Sequence, residues 1–361
     1  MKCALVHDWL VTMGGAEKVL EALIEVFDVP IFTLLKDEKA LLNTPFSGRD
    51  IRTSFLQSFP KRQRYYRNLA PLFPLAIQSL DLSSYDLIIS SSHAVAKSIR
   101  KKPGQLHICY CHTPFRAAWD LYEFHIDQLN PVKRLLARPT LKYIRHFDRK
   151  TQGDVDHFIA NSTYVAKRIE THYGRHSTVI HPPVNTDLFQ IAKCEDYYVT
   201  CSRLVPYKRV DILIAAFEKF PKKKLLIIGD GPEKKKLQAK APQNVEFLGR
   251  LPHPTLRETI AKAKGFLFAA EEDFGIVLVE AQAAGVPVIA YGYGGSIDTV
   301  LPGSTGIFFR EQTSSSVVDA LIRFEKMQED FESEKIQAHA QTFSKERFKE
   351  KVQSFVMNLL T

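Results

Sequence analysis

The amino-acid sequence predicts an α/β protein of two domains, each built on a parallel sheet, and three observations point there. The first is a strand–loop–helix–strand unit in the C-terminal half. Gly265 to Ala270 (GFLFAA) is an apolar run that reads as a buried strand. An acidic loop follows, a helix runs from about Ile276 to Ala284, Gly285 closes it, and Val286 to Ala290 is the next strand. The second is size. A chain of 361 residues, 45% hydrophobic and 25% charged, suits two globular domains rather than disorder. The third is that the two halves share a layout of strand, loop and helix without sharing sequence.

Taken in order, Lys2 to Val6 is a short apolar strand. His7 to Glu17 leads into a helix whose apolar positions are Val19, Leu20, Leu23, Ile24 and Phe27. Gly14-Gly15 offers bare backbone at that helix start, suited to a phosphate or to an ordinary tight turn; it is neither G-x-G-x-x-G nor a Walker loop. Val29 to Leu35 is a second strand, Asp86 to Ser92 a third, and Leu106 to His112 a fourth. His112 thus ends a central strand, where substrates bind in open sheets, though a lone histidine there is more often structural. His157 to Ala160 is a strand, and Asn161-Ser162 caps a helix that ends at Tyr173-Gly174. Asn185 to Asp196 lacks periodicity and reads as the linker.

The second half starts again with the strand Tyr197 to Ser202. Arg203 and Lys208 flank the loop after it, and two cations there can hold a diphosphate, Arg as a fork and Lys as a point charge. Leu225 to Gly229 and Asn244 to Leu248 are strands, the latter ending at Gly249-Arg250-Leu251. The acidic loop holds Glu272, and Glu280 lies a turn into the next helix. The amides of Phe274, Gly275, Ile276 and Val277 open that helix and favour an anion. Carboxylates repel phosphate, so Glu272 and Glu280 should face neutral groups with hydroxyls. A sugar on each side of a diphosphate meets that demand; a solvated acidic loop would also show such a pair. Tyr291 to Gly295 is a second glycine-rich loop, Thr305 to Phe309 a strand, and Ser314 to Met327 and Phe343 to Leu360 are helices.

Composition narrows the classes. No apolar run reaches the roughly 18 residues of a transmembrane helix, and MKCALVHDWL does not read as a signal peptide. Five scattered cysteines suit a reducing cytoplasm. Cys109 and Cys111 could share a strand face and bind a metal, or be core thiols. The net charge of +9 is concentrated: residues 61–150 hold 16 Lys and Arg against 6 Asp and Glu. Phe59 to Arg67 and Pro131 to Lys150 mix basic with aromatic or apolar residues. That suits an anionic membrane surface, single-stranded nucleic acid or a plain surface helix.

The motifs then combine. Arg203 with Lys208, Ile228-Gly229-Asp230-Gly231-Pro232, Val245 to Gly249, Glu272 with Glu280, Ala281 to Ala290, and Gly294-Gly295 come in an order and spacing that resemble the large retaining GT-B glycosyltransferase family, group 4, over nearly the whole chain. His7-Asp8-Trp9-Leu10 with Gly14 to Val19, Asp86 to Lys97, and Cys109 to Pro114 resemble the bacterial O-antigen mannosyltransferases of the WbaZ type. One departure stands out: the family usually has Glu three residues after its Gly-Gly pair, and here Asp298 is there.

The resemblance implies a GT-B fold. It has two Rossmann-like domains facing each other across a cleft, residues 1–187 for the acceptor and 188–340 for the donor, and a last helix (341–361) returning to the first domain. It implies that Arg203 and Lys208 hold the donor diphosphate, that Glu280 accepts from ribose hydroxyls, and that Glu272 holds the transferred sugar. Phe274, Gly275 and Ile276 would present amides, Gly15 would approach the phosphates, His112 would contact the sugar, and Gly249 to Leu251 would lie near the base. The expected activity is transfer of mannose from GDP-mannose to a glycan or polyprenyl-diphosphate-linked oligosaccharide. Configuration would be retained by same-face attack, without metal or other cofactor, at the cytoplasmic membrane face. A UDP-sugar donor, or sugar-nucleotide epimerisation, is the alternative on the same fold. A nucleic-acid-binding module would leave Arg203, Lys208 and both glutamates unexplained, and no nucleic-acid motif is present.

Overall fold

A computed structural model describes residues 1–360 and divides them into two compact units. The first unit takes Met1–His181 together with the residues from Lys349 onward. Its sheet has seven strands: β1 (Cys3–His7), β2 (Ile31–Thr33), β3 (Ile51–Thr53), β4 (Leu87–Ser92), β5 (Leu106–Cys111), β6 (His157–Ala160) and β7 (Ser177–Val179). They run parallel in the order β3-β2-β1-β4-β5-β6-β7. β4 is buried along its whole length although half of it is Ser90-Ser91-Ser92. A strand covered on both faces normally reads as continuous aliphatic sequence. The three hydroxyls at its carboxyl end therefore need partners, which the site supplies.

The second unit takes Pro182–Phe348. Its sheet has six parallel strands in the order β10-β9-β8-β11-β12-β13, namely β8 (Tyr197–Cys201), β9 (Lys224–Ile228), β10 (Val245–Gly249), β11 (Gly265–Phe268), β12 (Val288–Tyr291) and β13 (Gly306–Phe309). One apolar cluster sits on each face. The first joins Phe266, Phe268 and Leu278 to Val184, Phe189 and Phe343; the second joins Leu225, Leu267, Phe217, Leu321 and Phe324. β8 and β11 are the central pair, and chain order reverses between them, the place where open α/β sheets bind ligands.

The sequence puts the crossing between domains after residue 187, and the structure puts it at Pro182. Val184 is already fully buried in the second unit, where its N–H donates to Phe343 O at 3.0 Å. The last helix, Lys345–Leu360, begins in the second unit and ends in the first, where Lys349 Nζ reaches Glu25 at 3.2 Å. No described helix is long and apolar enough to cross a membrane.

Candidate functional site

In the second unit the loops after β8, β9, β11 and β12 lie side by side at the carboxyl edge. They interlock through backbone. A methyl group on Gly229 would stand 1.9 Å from Ser202 O, so the loop after β9 can lie against the loop after β8 only as glycine. A methyl on Gly295 would stand 2.3 Å from Phe274 Cα, which binds the loop after β12 to the loop after β11 in the same way. Gly229 N–H donates to Gly249 O at 2.7 Å, bringing in the end of β10.

Two of the expected charges meet here. Lys208, in the turn Pro206–Lys208, pairs with Glu272 in the loop after β11. Both side chains are about one-fifth exposed, at 17% and 20%. Lys208 Nζ also lies 6.0 Å above the Phe268 ring. Glu280 is half-buried on the helix Ile276–Ala283. The thiol of Cys201, at the end of β8, feels both charges: burial pushes it up to about 12, Glu280 adds to the rise and Lys208 opposes it. Glu280, Lys208 and Glu272 therefore surround the end of one central strand.

The helix start between the two glutamates has the geometry of an anion site. Gly275 caps it in a left-handed conformation (φ 86°), and helix geometry leaves the first amides without intrahelical acceptors. Phe274 offers only its backbone, because its ring is buried 5.7 Å from Phe343. Ile276 and Leu251 are half-buried and pack on the same apolar cluster. Arg203 is exposed, and among the described residues its guanidinium has no hydrogen-bond or ion-pair partner. One paired and one open cation, outward amides and two carboxylates can hold a diphosphate flanked by hydroxyl-bearing groups.

The first unit places His112 and the start of the helix that begins at Gly15 on one line of polar contacts. Gly15 is the first residue of the helix Gly15–Phe27, and Glu17 Oε2 accepts the N–H of its cap residue Gly14 at 2.9 Å. Glu17 Oε1 lies 3.7 Å from His7 Nε2. His7 Nδ1 is 3.1 Å from Ser91 Oγ, and Ser91 Oγ is 2.8 Å from His112 Nε2. Burial pushes the His112 imidazole well below its ordinary pKa, and His93 and His7 push the same way, so the ring is neutral at pH 7.

Sequence reasoning missed the carboxylate beneath this network. Asp8 is fully buried and accepts four backbone N–H groups, from His93 (2.7 Å), Ala94 (3.0 Å), Val95 (2.6 Å) and Ala96 (2.7 Å). His93 Nδ1 stands 3.2 Å from Asp8 Oδ2. It also missed the buried pair of Lys97 with Asp148 at 3.0 Å, whose carboxylate accepts from Trp119 Nε1 (2.8 Å) and Tyr173 OH (2.7 Å). Sequence offered one sign of Asp8 and Glu17, their place in the His7-Asp8-Trp9-Leu10 and Gly14-Gly15-Ala16-Glu17 stretches. The two cysteines left open as a metal pair are buried core thiols on β5, packed with Phe158, Val165 and Ile169.

Comparison with known proteins agrees with this architecture. Residues 13–188 match the family described as Glycosyltransferase Family 4, and residues 187–342 match Glycosyl transferases group 1. A GDP-mannose-dependent monoacylated alpha-(1-6)-phosphatidylinositol monomannoside mannosyltransferase of Corynebacterium glutamicum is 35% identical over 206 residues, 48% of this chain and 54% of that protein. A GDP-mannose-dependent alpha-(1-6)-phosphatidylinositol monomannoside mannosyltransferase of Mycolicibacterium smegmatis is 33% identical over 190 residues, 44% of this chain and 50% of that protein. The chain thus spans about half the length of the curated relatives it matches. Among solved structures, Anabaena HepE in complex with UDP and glucose aligns with a TM-score of 0.71 at 19% identity, over 98% of this chain and 99% of that one. Sucrose-phosphate synthase of Thermosynechococcus elongatus aligns with a TM-score of 0.75 at 18% identity, over 100% and 99%. The fold is therefore GT-B, and with the two family matches together taking in residues 13–342, the chain belongs to the family 4, group 1 glycosyltransferases.

Proposed function

We propose that the chain transfers a mannosyl group from GDP-mannose to a lipid-linked glycan, with retention of configuration and without a metal ion. The observation that carries transfer is the pairing of Lys208 with Glu272 beside the Gly275 helix start. The pair sets a cation and amides for phosphate against a carboxylate for hydroxyls. Breaking the bond from the anomeric carbon to the diphosphate oxygen leaves positive charge on the sugar ring and negative charge on the diphosphate. Lys208, Arg203 and the first amides of the helix stabilise that anion where it develops. Glu272 orients the sugar through its hydroxyls, Glu280 accepts from the ribose, Gly15 approaches the phosphates and His112 contacts the sugar. Gly249 to Leu251 border the base. The acceptor oxygen bonds the anomeric carbon on the face the diphosphate leaves, and its proton passes to the leaving phosphate oxygen. An inverted product anomer would overturn that route.

The names of the two mannosyltransferase relatives support the donor and a lipid acceptor. Docking at the cytoplasmic membrane face is supported by the helix Pro131–Thr151. It leaves Val132, Leu135 and Leu136 exposed at 74%, 75% and 68%, with Tyr143 further along and Lys133, Arg134, Arg138 and Lys142 interleaved. Apolar anchors among basic heads suit an anionic lipid surface. A UDP-sugar donor is the second reading, favoured by the complex of HepE with UDP and glucose.

The experiment is calorimetric titration of wild type and Lys208→Ala with GDP, UDP and ADP in the absence of metal. GDP should bind, and Lys208→Ala should weaken it on the order of 100-fold, the scale of removing one partner from a half-buried charged contact. Preference for UDP would retire mannose, and binding of none of the three would overturn the donor site. Leu135→Ser with Leu136→Ser should abolish sedimentation with anionic vesicles; unchanged sedimentation would remove the docking helix.

A further inference from the structure

We infer that Ser91, His7 and Glu17 are positioning residues that hold His112 in the tautomer protonated at Nε2, leaving Nδ1 as an acceptor for a hydroxyl of the transferred sugar. The ligand in this assignment rests on the function proposed above; the tautomer does not.

A serine hydroxyl has one proton to give. Ser91 Oγ lies 3.1 Å from His7 Nδ1 and 2.8 Å from His112 Nε2, so wherever each ring carries a single proton it donates to one and accepts from the other, and a doubly protonated His7 in the NMR test below would overturn the inference. Two opposite directions satisfy it equally. In one, His7 is protonated at Nε2 and His112 at Nε2. In the other, both rings are protonated at Nδ1 and His112 presents a donor.

Glu17 chooses between them. Its Oε2 is occupied by the N–H of Gly14 at 2.9 Å, and its Oε1 stands 3.7 Å from His7 Nε2, beyond hydrogen-bond length but well within reach of a charge acting on a dipole. Burial raises the Glu17 pKa, and the contact with the His7 ring is the largest effect opposing it, so the carboxyl titrates below its ordinary value and is ionised at pH 7. His7 is fully buried, where water cannot screen that contact. A lone pair on His7 Nε2 would be repelled by the carboxylate, and an N–H is attracted. His7 therefore carries its proton at Nε2, its Nδ1 accepts from Ser91, and the Ser91 oxygen accepts from His112 Nε2–H. No protein group among those described hydrogen-bonds His112 Nδ1.

His93 stands apart from this chain. Its ring is 5.8 Å from His7 and 6.1 Å from His112, but its Nδ1 faces Asp8 at 3.2 Å. The chemical use of the relay is its sign. A sugar hydroxyl that donates to Nδ1 gains electron density as the ring turns positive, whereas one that accepts from an N–H loses it.

The test is two-bond proton–nitrogen NMR of the ligand-free full chain labelled with 15N-histidine, signals assigned by His→Gln variants at His7, His93 and His112. Wild type should show His7 and His112 both protonated at Nε2. His112 protonated at Nδ1 would overturn the inference outright, and this outcome is read from the wild-type chain once the variants have assigned its signals. Ser91→Ala and Glu17→Gln should shift His112 toward a mixture of tautomers, while Ser91→Thr, which keeps the hydroxyl, should hold the wild-type form. An unchanged His112 in Ser91→Ala would also overturn it. In transfer assays Ser91→Ala should lower kcat about 3- to 10-fold, the worth of one net hydrogen bond, with little change in donor KM. The wild-type tautomers in a chain that transfers no sugar would uphold the relay and sink the proposed function alone.

Discussion

At the carboxyl end of the first sheet the polar groups are buried, and most of them are matched by hydrogen bonds. Asp8 is surrounded by four backbone amides, Ser91 hydrogen-bonds both His7 and His112, and the Glu17 carboxylate stands 3.7 Å from the far nitrogen of His7. At the same end of the second sheet the polar groups are charged and partly open. Lys208 and Glu272 keep about a fifth of their surface, and Arg203 is exposed. Neutral and amide-matched groups can be buried at little cost once every hydrogen bond is made. Charges meant for a charged ligand cannot be, because desolvating them before the ligand arrives costs several kcal/mol per ion. The first unit is therefore preorganised by burial and the second by a partly open ion pair, which on the proposed function an incoming diphosphate would replace.

The comparison is broken most severely at Asp8. Asp8→Ala strands four buried amides and should cost about 4 kcal/mol or more, since bonds to a charged acceptor are worth roughly 1.5–3 kcal/mol each. Urea unfolding followed by hydrogen exchange should show the loss in β1 and β4 and little change in β8 and β11. Equal loss in both units would mean that they unfold together.

Acid should separate the units next. Burial holds His107 down to about 4, and His93 and His112 are lowered by burial as well. These rings stay neutral in the folded state while their unfolded counterparts take up protons below about 6.5. Stability is thus full above pH 6.5 and falls as pH drops toward 4, by about 3 kcal/mol for His107 alone. His107→Gln should flatten that slope; a slope unchanged in this variant would remove His107 as its source.

A third effect falls on the second unit. Gly295→Ala drives a methyl into the Phe274 backbone and should cost about 1–3 kcal/mol, with nucleotide binding lost along with the loop. Arg203→Ala should leave the unfolding midpoint unchanged and still weaken nucleotide binding, because the side chain is exposed and forms no hydrogen bond or ion pair among the described residues. A shift in its midpoint would show that Arg203 supports the fold.

What could be read from the sequence follows from how local each feature is. Glu272, Gly275 and Glu280 lie within nine residues, on one loop and one helix, and spacing alone puts them together. The long apolar strands were legible for the same reason. β3 and β7 were not, because each is three residues long at a sheet edge and alternates half-buried with exposed positions. The helix Ser333–Ala340 was not, because it buries little beyond Ile336 and Ala340. Asp8 was illegible in a deeper sense. A carboxylate reads as surface, and what makes this one a core residue is a row of amides 85 to 88 positions away. The strand β4, apolar then Ser-Ser-Ser, showed that something polar must face its end, and not what.

The interlocked loops of the second unit bear on how its mutational tolerance will look. Gly229 and Gly295 refuse a methyl because backbone lies against them, whether or not a ligand is bound. A saturation screen scored by activity would rank both beside Lys208, and would suggest contact with substrate where there is only masonry. Anyone redesigning the proposed donor preference should treat those glycines as fixed and vary the side chains proposed to lie near the base, beginning with Arg250 and Leu251.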